Sequence, residues 1–587
     1  MKRQRRTRKK ASPVYRGRRL FLMLFLLAGI VVLLARAAYL EIYQQEWLQQ
    51  QADKRHSRTV TITAHRGIIL DRNGEALAIS TPVTTLTADA RTLIHRREKL
   101  KQAYEEARRE FEAAGRKASK VVEDEYELAR INFQKFDQRL HDVETMLGQK
   151  KGALLKKLES KRTRQFTYIA SQVDPDLARK VLKMDLPGFR GETEYKRFYP
   201  MAESAGHVLG FTDRDNKGAE GVEYAKNTIL AGKEGKMRVI KDRKHNIVEE
   251  IERLVDMQAG QDVTISIDRR LQYLAYKALK SRVYELDAES GSVVVMKPQT
   301  GEILAMASMP FFNPNDRRTF KPYRYRNRAI LDMHELGSTI KPLTIAAALE
   351  SRAIDKHISI QTAPGILRLG KGHEVRDPVN YGMMSLSYLL AKSSNVGASK
   401  VALLIPKRDH WMFLKRVGLG RPPNAGFAVE ASGQLSNYAK WGKIDHASLG
   451  YGYGISASLL QMVRAYTPFA TGGKLYPATI TKLEKPVVGQ QVMSAQTAYG
   501  VLDMMEAVVA PKGTGKRAAI TSYRVAGKTG TARKLIGDKY RNNRYVTSFI
   551  GIAPVSRPEL VVGVVIDDPK KDKSGGKAAA PVFRKVM

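Results

Sequence analysis

The sequence predicts a multidomain α/β protein. Its expected parts are an N-terminal membrane-spanning helix, an α+β region broken by a charged helical insertion, and a large C-terminal α/β domain. Three observations predict this. An apolar run from Leu20 to Ala35 follows a dense block of lysine and arginine. Strand-like, turn-rich segments lie on both sides of a stretch crowded with Glu, Lys and Arg. From about Ala259 onward, apolar strand-like runs alternate with amphipathic helical ones. At 587 residues the chain also exceeds one ordinary core, so more than one domain is expected.

Residues 1–19 read as a basic cytoplasmic tail carrying Lys2, Arg3, Arg5, Arg6, Arg8, Lys9, Lys10, Arg16, Arg18 and Arg19. A spanning helix needs about 20 mostly apolar residues, which 20–40 supply. Arg36 lies near the far end, where its long side chain reaches the interface. Positive charge stays cytoplasmic, so the rest of the chain is expected outside the inner membrane. The rival reading is a cleaved signal, because Ala35-Arg36-Ala37 has small-x-small form. The long basic tail and the apolar continuation to Leu40 favour a retained anchor. A polar helical stalk is expected over 41–60.

A strand-rich stretch follows from about Thr59 to Ala90. Asn73-Gly74, set between apolar runs, is a hairpin-turn signal. From about 93 to 164 the composition becomes Glu, Lys, Arg, Gln and Ala with apolar residues at helical spacing, as in Glu105-Glu106-Ala107-Arg108-Arg109-Glu110-Phe111. This predicts a helical hairpin or short coiled coil divided near Ala114-Gly115. A solvated insertion is favoured there over a partner-docking arm. A second α+β stretch runs from about Phe166 to Met257.

The net charge is +41, and 43% of residues are hydrophobic. Such charge suits nucleic acid, an anionic membrane surface or an anionic polymer. No nucleic-acid-binding motif stands out and the basic residues are spread along the chain, so nucleic acid is set aside. The chain has no cysteine, which excludes thiol-based acyl transfer.

Three short motifs occur in one order: Ser338-Thr339-Ile340-Lys341, then Ser393-Ser394-Asn395, then Lys528-Thr529-Gly530, the only Lys-Thr-Gly present. An apolar, helix-compatible run follows Ser338, which places the serine at a helix start with Pro342 near the end of the first turn. Ser338 and Lys341, three residues apart, share a helix face. The helix N-terminus favours a developing oxyanion. Lys341 must be neutral to take the serine proton, and burial with a second cation, Lys528, would lower its pKa. Ser393 and Asn395 follow a helical run, Ser385 to Lys392, and suit a helix–helix turn facing the site. There Ser393 is placed to relay a proton and Asn395 to orient Lys341 and a substrate amide. Lys528-Thr529-Gly530-Thr531 follows the strand-like Ser522 to Ala526. A strand edge offers backbone groups to an extended peptide, and Gly530 allows close approach. Each motif alone is weak; serine and lysine at the same spacing recur at Ser574 and Lys577, in a stretch that is a poor helix. The ordered triplet is the signal. Metal chemistry is not expected: His334-Glu335 opens a zincin-like pattern, but Ser338 stands where the second histidine is needed. His207 and His446 read as core or surface residues.

With these residues in place, the chain resembles the class B penicillin-binding proteins. Further stretches carry the resemblance: Arg66-Gly67 with Asp71-Arg72-Asn73-Gly74, Arg197 with Tyr199-Pro200, Gly206-His207, Gly221-Val222-Glu223, and Gly452-Tyr453-Gly454 with Leu460-Gln461. The resemblance implies a pedestal (dimerisation-type) domain over 41–258 and a penicillin-binding, serine β-lactamase-like transpeptidase domain over 259–587. It is greater to septal, FtsI-like members than to elongation-type ones. It further implies a DD-transpeptidase with no cofactor. Ser338 would be the nucleophile, Lys341 the base, and Ser393 and Asn395 relay and orienter. Lys528, Thr529 and Thr531 would bind the substrate carboxylate, with the amides of Ser338 and Thr531 as oxyanion hole. Implied partners are peptidoglycan stem peptides, β-lactams, the inner membrane and division proteins including a glycosyltransferase.

Three departures stand out. Leu336 replaces the usual proline before Gly-Ser, the 93–164 insertion is longer and more charged than expected, and the sequence ends soon after Ala580-Pro581-Val582-Phe583, so the last helix is expected to be cut short and weakly packed. Rival readings are a DD-carboxypeptidase or other serine hydrolase, an elongation-type transpeptidase, and a non-catalytic scaffold or sensor. A polymerase activity is not expected, because pedestal-like motifs fill the space before Ala259.

Overall fold

A computed structural model describes residues 16–45, 57–241, 247–370, 372–537 and 539–587. Most of the expected basic tail and most of the expected stalk lie outside these residues. The chain forms two compact units: Met1–Thr63 with Glu234–Gln258, and Ala64–Lys233 with Ala259–Met587. The expected pedestal segment is therefore divided between them.

In the first unit a continuous helix, Arg16–Ala38, passes through Arg36 and ends in a wider turn at Tyr39–Tyr43. The apolar stretch Gly17–Tyr43 is long enough to cross a membrane, and none of its side chains is packed inside the protein. Strands Ser57–Ile62, Gly235–Lys241 and Ile247–Val255 pair antiparallel. Residues 57–60 are thus strand where a helical stalk was expected; their alternating Thr and Val side chains suit a pleated surface better than a helix.

In the second unit the pedestal sheet contains β1 (Ile69–Leu70), β2 (Ala76–Ala88), β3 (Thr167–Val173), β4 (Phe189–Phe198) and β5 (Val263–Thr264). The β1–β2 hairpin turns at Asn73-Gly74 as expected, but only Gly74 takes positive φ, +88°. Asp71 makes the turn instead, accepting from the amides of Asn73 (2.7 Å) and Glu75 (2.9 Å). The sequence motifs far apart in this region meet in one buried cluster: Glu223 holds both Arg66 and Arg197 at 2.6 Å.

The insertion is a helical hairpin, α1 (Ala90–Ala114) and α2 (Lys120–Met146), followed by a short third helix at Ala153–Glu159. Gly115, at φ +52°, breaks the hairpin where expected. Its base packs Leu93, Phe136, Leu140 and Val143 onto the pedestal sheet. Its outer half is held by stacked rings, Phe111 on Tyr126 at 4.9 Å and Tyr104 on Phe133 at 5.8 Å. Most of its charged residues face solvent, and Arg108 bridges Glu112 one turn on, but Glu144 is buried and accepts from the amides of Gly152 and Leu154 at 2.8 Å.

The C-terminal part is built on one antiparallel sheet. Its strands are β6 (Ser290–Met296), β7 (Ile303–Met309), β8 (Ala526–Ile536), β9 (Lys539–Ala553) and β10 (Leu560–Asp567), in the order β7-β6-β10-β9-β8. Both faces are covered. Val293, Val295, Val562 and Val564 pack with Leu279 and Phe583 on one face; Val294, Met296, Val561 and Val565 pack with Leu459 and Val463 on the other. A strand covered on both sides has no place for polar alternation, which is why these strands read as unbroken apolar runs. In the final helix, Ala580–Val586, Val582 and Phe583 are fully buried. β8 is the sheet's edge strand, and it carries the third motif.

Candidate active site

The first motif lies in a tight turn, Gly337–Ile340, that runs straight into a helix, Lys341–Glu350. Ser338 is thus just before the regular helix, and Pro342 is in its first turn, where a missing amide matters least. Two glycines fix the turn. Gly337 has φ +51° and donates its amide to the Gly452 carbonyl at 3.0 Å. A Cβ on Gly452 would stand 2.0 Å from the Gly337 carbonyl oxygen. The wall stretch Gly452-Tyr453-Gly454 therefore presses directly on the serine turn. Leu336, in place of proline, is buried, and its carbonyl accepts from Thr339 Oγ1 at 2.6 Å.

The second motif is the turn between helices Leu386–Lys392 and Asn395–Leu404, as expected. Ser393 adopts φ +60°, a left-handed conformation unusual for a residue with a side chain. That conformation ends one helix and aims both its carbonyl and hydroxyl at the lysines. Lys341 Nζ donates to the Ser393 carbonyl at 2.6 Å and to Asn395 Oδ1 at 2.8 Å, and meets Ser393 Oγ at 3.1 Å. Lys528 Nζ meets the same hydroxyl at 3.0 Å. Ser393 Oγ therefore bridges the two lysines.

Both lysines are fully buried. Burial holds Lys341 well below the ordinary lysine range; the Lys528 charge adds to this and Asp377 opposes it. Burial alone brings Lys528 down to about 7. Ser338 is half-buried, so the nucleophile keeps some access to solvent while both lysines do not.

The third motif lies inside β8 rather than after a strand: regular pairing begins at Ala526, with Lys528 opposite Ile550 and Thr531 opposite Thr547. Gly530 has a packing reason to be small. A Cβ there would stand 2.2 Å from Ser548 Oγ and 2.9 Å from the Thr339 methyl, so its absence lets the edge strand lie against the serine turn. A Cβ on Gly337 would lie 3.5 Å from the Thr531 carbonyl oxygen, an ordinary contact, so the serine turn also lies against β8 at Thr531. Thr529 Oγ1 pairs with Thr514 Oγ1 at 3.0 Å, and Thr531 Oγ1 accepts from the Gly575 amide at 3.1 Å.

Sequence reasoning missed several contributors. Asp377 accepts from the amides of Asn395 (2.6 Å) and Val396 (3.2 Å) and from the Ser394 hydroxyl, which fixes the second motif from a loop 16 residues upstream of Ser393. Glu335 accepts from the Gly454 amide at 3.1 Å and the Tyr540 hydroxyl at 2.9 Å, and burial raises its carboxyl. The stretch set aside at Ser574 to Lys577 matters through glycine: Gly575 packs where a Cβ would meet the Gly530 carbonyl at 2.3 Å. A single helical turn, Gly575–Ala578, does form there, but Lys577 is exposed and does not act on Ser574. His446 is a core residue, its Nε2 3.2 Å from His410 Nδ1. His207 is buried against the Arg324 carbonyl at 2.7 Å, and burial pushes its ring down to about 4.

The chain matches two families: "Penicillin-binding Protein dimerisation domain" over residues 61–265 and "Penicillin binding protein transpeptidase domain" over 291–587. The first range spans the helical insertion. The chain is 36% identical over 573 residues to a probable peptidoglycan D,D-transpeptidase, PbpC, of Pseudomonas aeruginosa, covering 97% of this chain and 93% of that one. It is 36% identical over 563 residues to the peptidoglycan D,D-transpeptidase FtsI of Escherichia coli K12, covering 96% and 89%. Among solved structures, the transpeptidase domain of Burkholderia pseudomallei penicillin-binding protein 3 is 37% identical with TM-score 0.51, covering 55% of this chain and 93% of that one. A catalytic-domain match over half the chain, and such identity along nearly all of it, place the chain in the class B penicillin-binding proteins of FtsI type.

Proposed function

We propose that this chain is a membrane-anchored peptidoglycan D,D-transpeptidase that cross-links stem peptides at the division septum. The observation that carries the reading is the Ser393 hydroxyl held between two buried lysines, 3.1 Å from Lys341 and 3.0 Å from Lys528, beside the Ser338 turn. Lys341, favoured as the neutral amine by burial, takes the proton of Ser338 Oγ as that oxygen attacks the penultimate D-Ala carbonyl. The amides of Ser338 and Thr531 receive the oxyanion. The D-Ala–D-Ala amide bond breaks, and the departing D-Ala nitrogen takes its proton from Lys341 through Ser393 Oγ. Lys528 with Thr529 and Thr531 holds the terminal carboxylate before that residue leaves. An amine of a neighbouring stem peptide then attacks the acyl ester, giving its proton back along the same path and regenerating Ser338. β-Lactams enter the first half of this cycle and remain as esters on Ser338. The N-terminal helix is a retained anchor, with the tail cytoplasmic and the catalytic domain extracytoplasmic. A glycosyltransferase and other division proteins are the expected partners.

The test supplies a donor pentapeptide with and without a D-amino acid acceptor. The reading expects an acceptor-exchanged product that outweighs simple hydrolysis and vanishes in Ser338→Ala. Hydrolysis alone, unaffected by acceptor, would make the chain a carboxypeptidase.

A further inference from the structure

Thr531 is exposed, and its hydroxyl accepts from the Gly575 amide at 3.1 Å. A hydroxyl has one proton and two lone pairs. With a lone pair turned to Gly575, the proton points away from that amide. Among the described residues no group accepts it. A donor peptide's terminal carboxylate, held by Lys528 on the reading above, then meets a hydroxyl already turned to donate. The position of Gly575 therefore decides how well Thr531 serves the substrate.

Gly575 is held in two ways. Packing stops it from moving closer to β8 and β9. A Cβ on Gly575 would stand 2.3 Å from the carbonyls of Gly530 and Ser548, and one on Gly576 would stand 2.0 Å from the Thr514 carbonyl. Arg282 stops its loop from moving away. This arginine lies on the helix Arg269–Glu285, is only 6% exposed and belongs to none of the three motifs. Its Nε donates to the Ala578 carbonyl at 3.2 Å and its Nη2 to the Lys577 carbonyl at 2.6 Å. These two residues end the single turn Gly575–Ala578, so Arg282 caps that turn from another element. The same Nη2 meets Asp572 Oδ2 at 3.1 Å, ahead of the turn. Glu285, 2.6 Å from Nη1, offsets the buried charge. One guanidinium thus ties both ends of the loop 572–578 to each other and to a long helix.

We propose that Arg282 is a positioning residue for recognition of the donor's terminal carboxylate. By fastening both ends of the loop 572–578 it holds the Gly575 amide on Thr531 Oγ1, and so keeps the Thr531 proton free for the carboxylate. Arg282 acts only through this loop. The inference rests on the transpeptidase reading and adds to it a residue that none of the motifs contains.

A double-mutant cycle tests it. kcat/KM for acceptor exchange on the donor pentapeptide is measured with the full-length chain in detergent micelles, for wild type, Arg282→Met, Thr531→Val and the double variant, each with its melting temperature. Arg282→Met keeps an unbranched apolar stem and removes the guanidinium. It should lose at least about tenfold, the size of one hydrogen bond to a charged group. In the Thr531→Val background the same substitution should cost nothing further, because the hydroxyl it serves is gone. Asp572→Gly breaks the clamp at its other end, and glycine takes the φ of +51° there freely. It should show the same dependence on Thr531 even if Arg282→Met lowers the melting temperature. Unchanged kcat/KM in folded Arg282→Met would overturn the inference. So would a loss that persists undiminished in the Thr531→Val background for both substitutions, which would make Arg282 only structural. A wild type that turns over no donor would overturn the transpeptidase reading itself, and this inference with it.

Discussion

Ser393 concentrates the chemistry and the strain of the site in one residue. Its φ of +60° is unfavourable for any side chain but brings its hydroxyl between Lys341 and Lys528. Ser393→Gly should leave the melting temperature unchanged or raise it, because glycine accepts this conformation freely. The same change should cut acylation by a β-lactam at least about 100-fold, because the relay is gone. Equal losses of stability and acylation would argue that the residue is only structural. The lysines give a pH signature. Acylation should rise with pH as Lys341 loses its proton, and fall near pH 7 as Lys528 loses the charge that holds a carboxylate. Lys528→Arg should remove the fall. Asp377 favours the Lys341 ammonium, so Asp377→Asn should lower the Lys341 pKa and move the rising limb to lower pH. A rising limb that stays in place would show that Asp377 acts only as a cap. At this scale the reactive residues were legible in the sequence because each lies in a short motif. Asp377 and Glu335 were not, because each acts through amides and hydroxyls that only the fold brings near.

Among the elements, the turn at Gly337–Ile340 is positioned by neighbours on two sides: Gly452 against Gly337, and Gly530 against Thr339. Gly452→Ala would put a methyl 2.0 Å from a carbonyl oxygen at φ +95°. It is expected to cost about 2–3 kcal/mol by strain and overpacking. It should also slow acylation about 100-fold, since a shift of about 1 Å in a nucleophile has that effect. Chemical denaturation and stopped-flow acylation on the same sample would check both; a stable variant with unchanged acylation would show that the turn does not rest on this contact. The hairpin of the insertion was legible down to its break at Gly115, because helical spacing and a positive-φ residue are both local signals. The strand at Ser57–Ile62 was not, because its partner is a strand about 180 residues away, Gly235–Lys241. The start of β8 was misjudged for a related reason: pairing with β9, not local composition, decides where the strand begins.

For the whole molecule, the order of domains was legible because composition changes at each border, whereas the grouping into compact units was not. Strand pairing ties residues 234–258 to 57–62 and divides the pedestal segment, which no local pattern announces. The net charge of +41 also belongs to this scale. If it holds the protein near anionic wall polymer, co-sedimentation of the detergent-solubilised chain with purified wall should weaken markedly between about 10 mM and 150 mM salt, as the Debye length falls from about 30 to 8 Å. Unchanged sedimentation would remove that role. The central claim is that Ser338, served by Lys341, forms an acyl-enzyme. Its most direct measurement is covalent labelling of the full-length protein by fluorescent penicillin, with intact mass and peptide mapping, for wild type and Ser338→Ala. The account predicts one label per chain, on Ser338, slowly released and absent from the variant. A folded wild type that takes no label, or label retained in the variant on another serine, would contradict it.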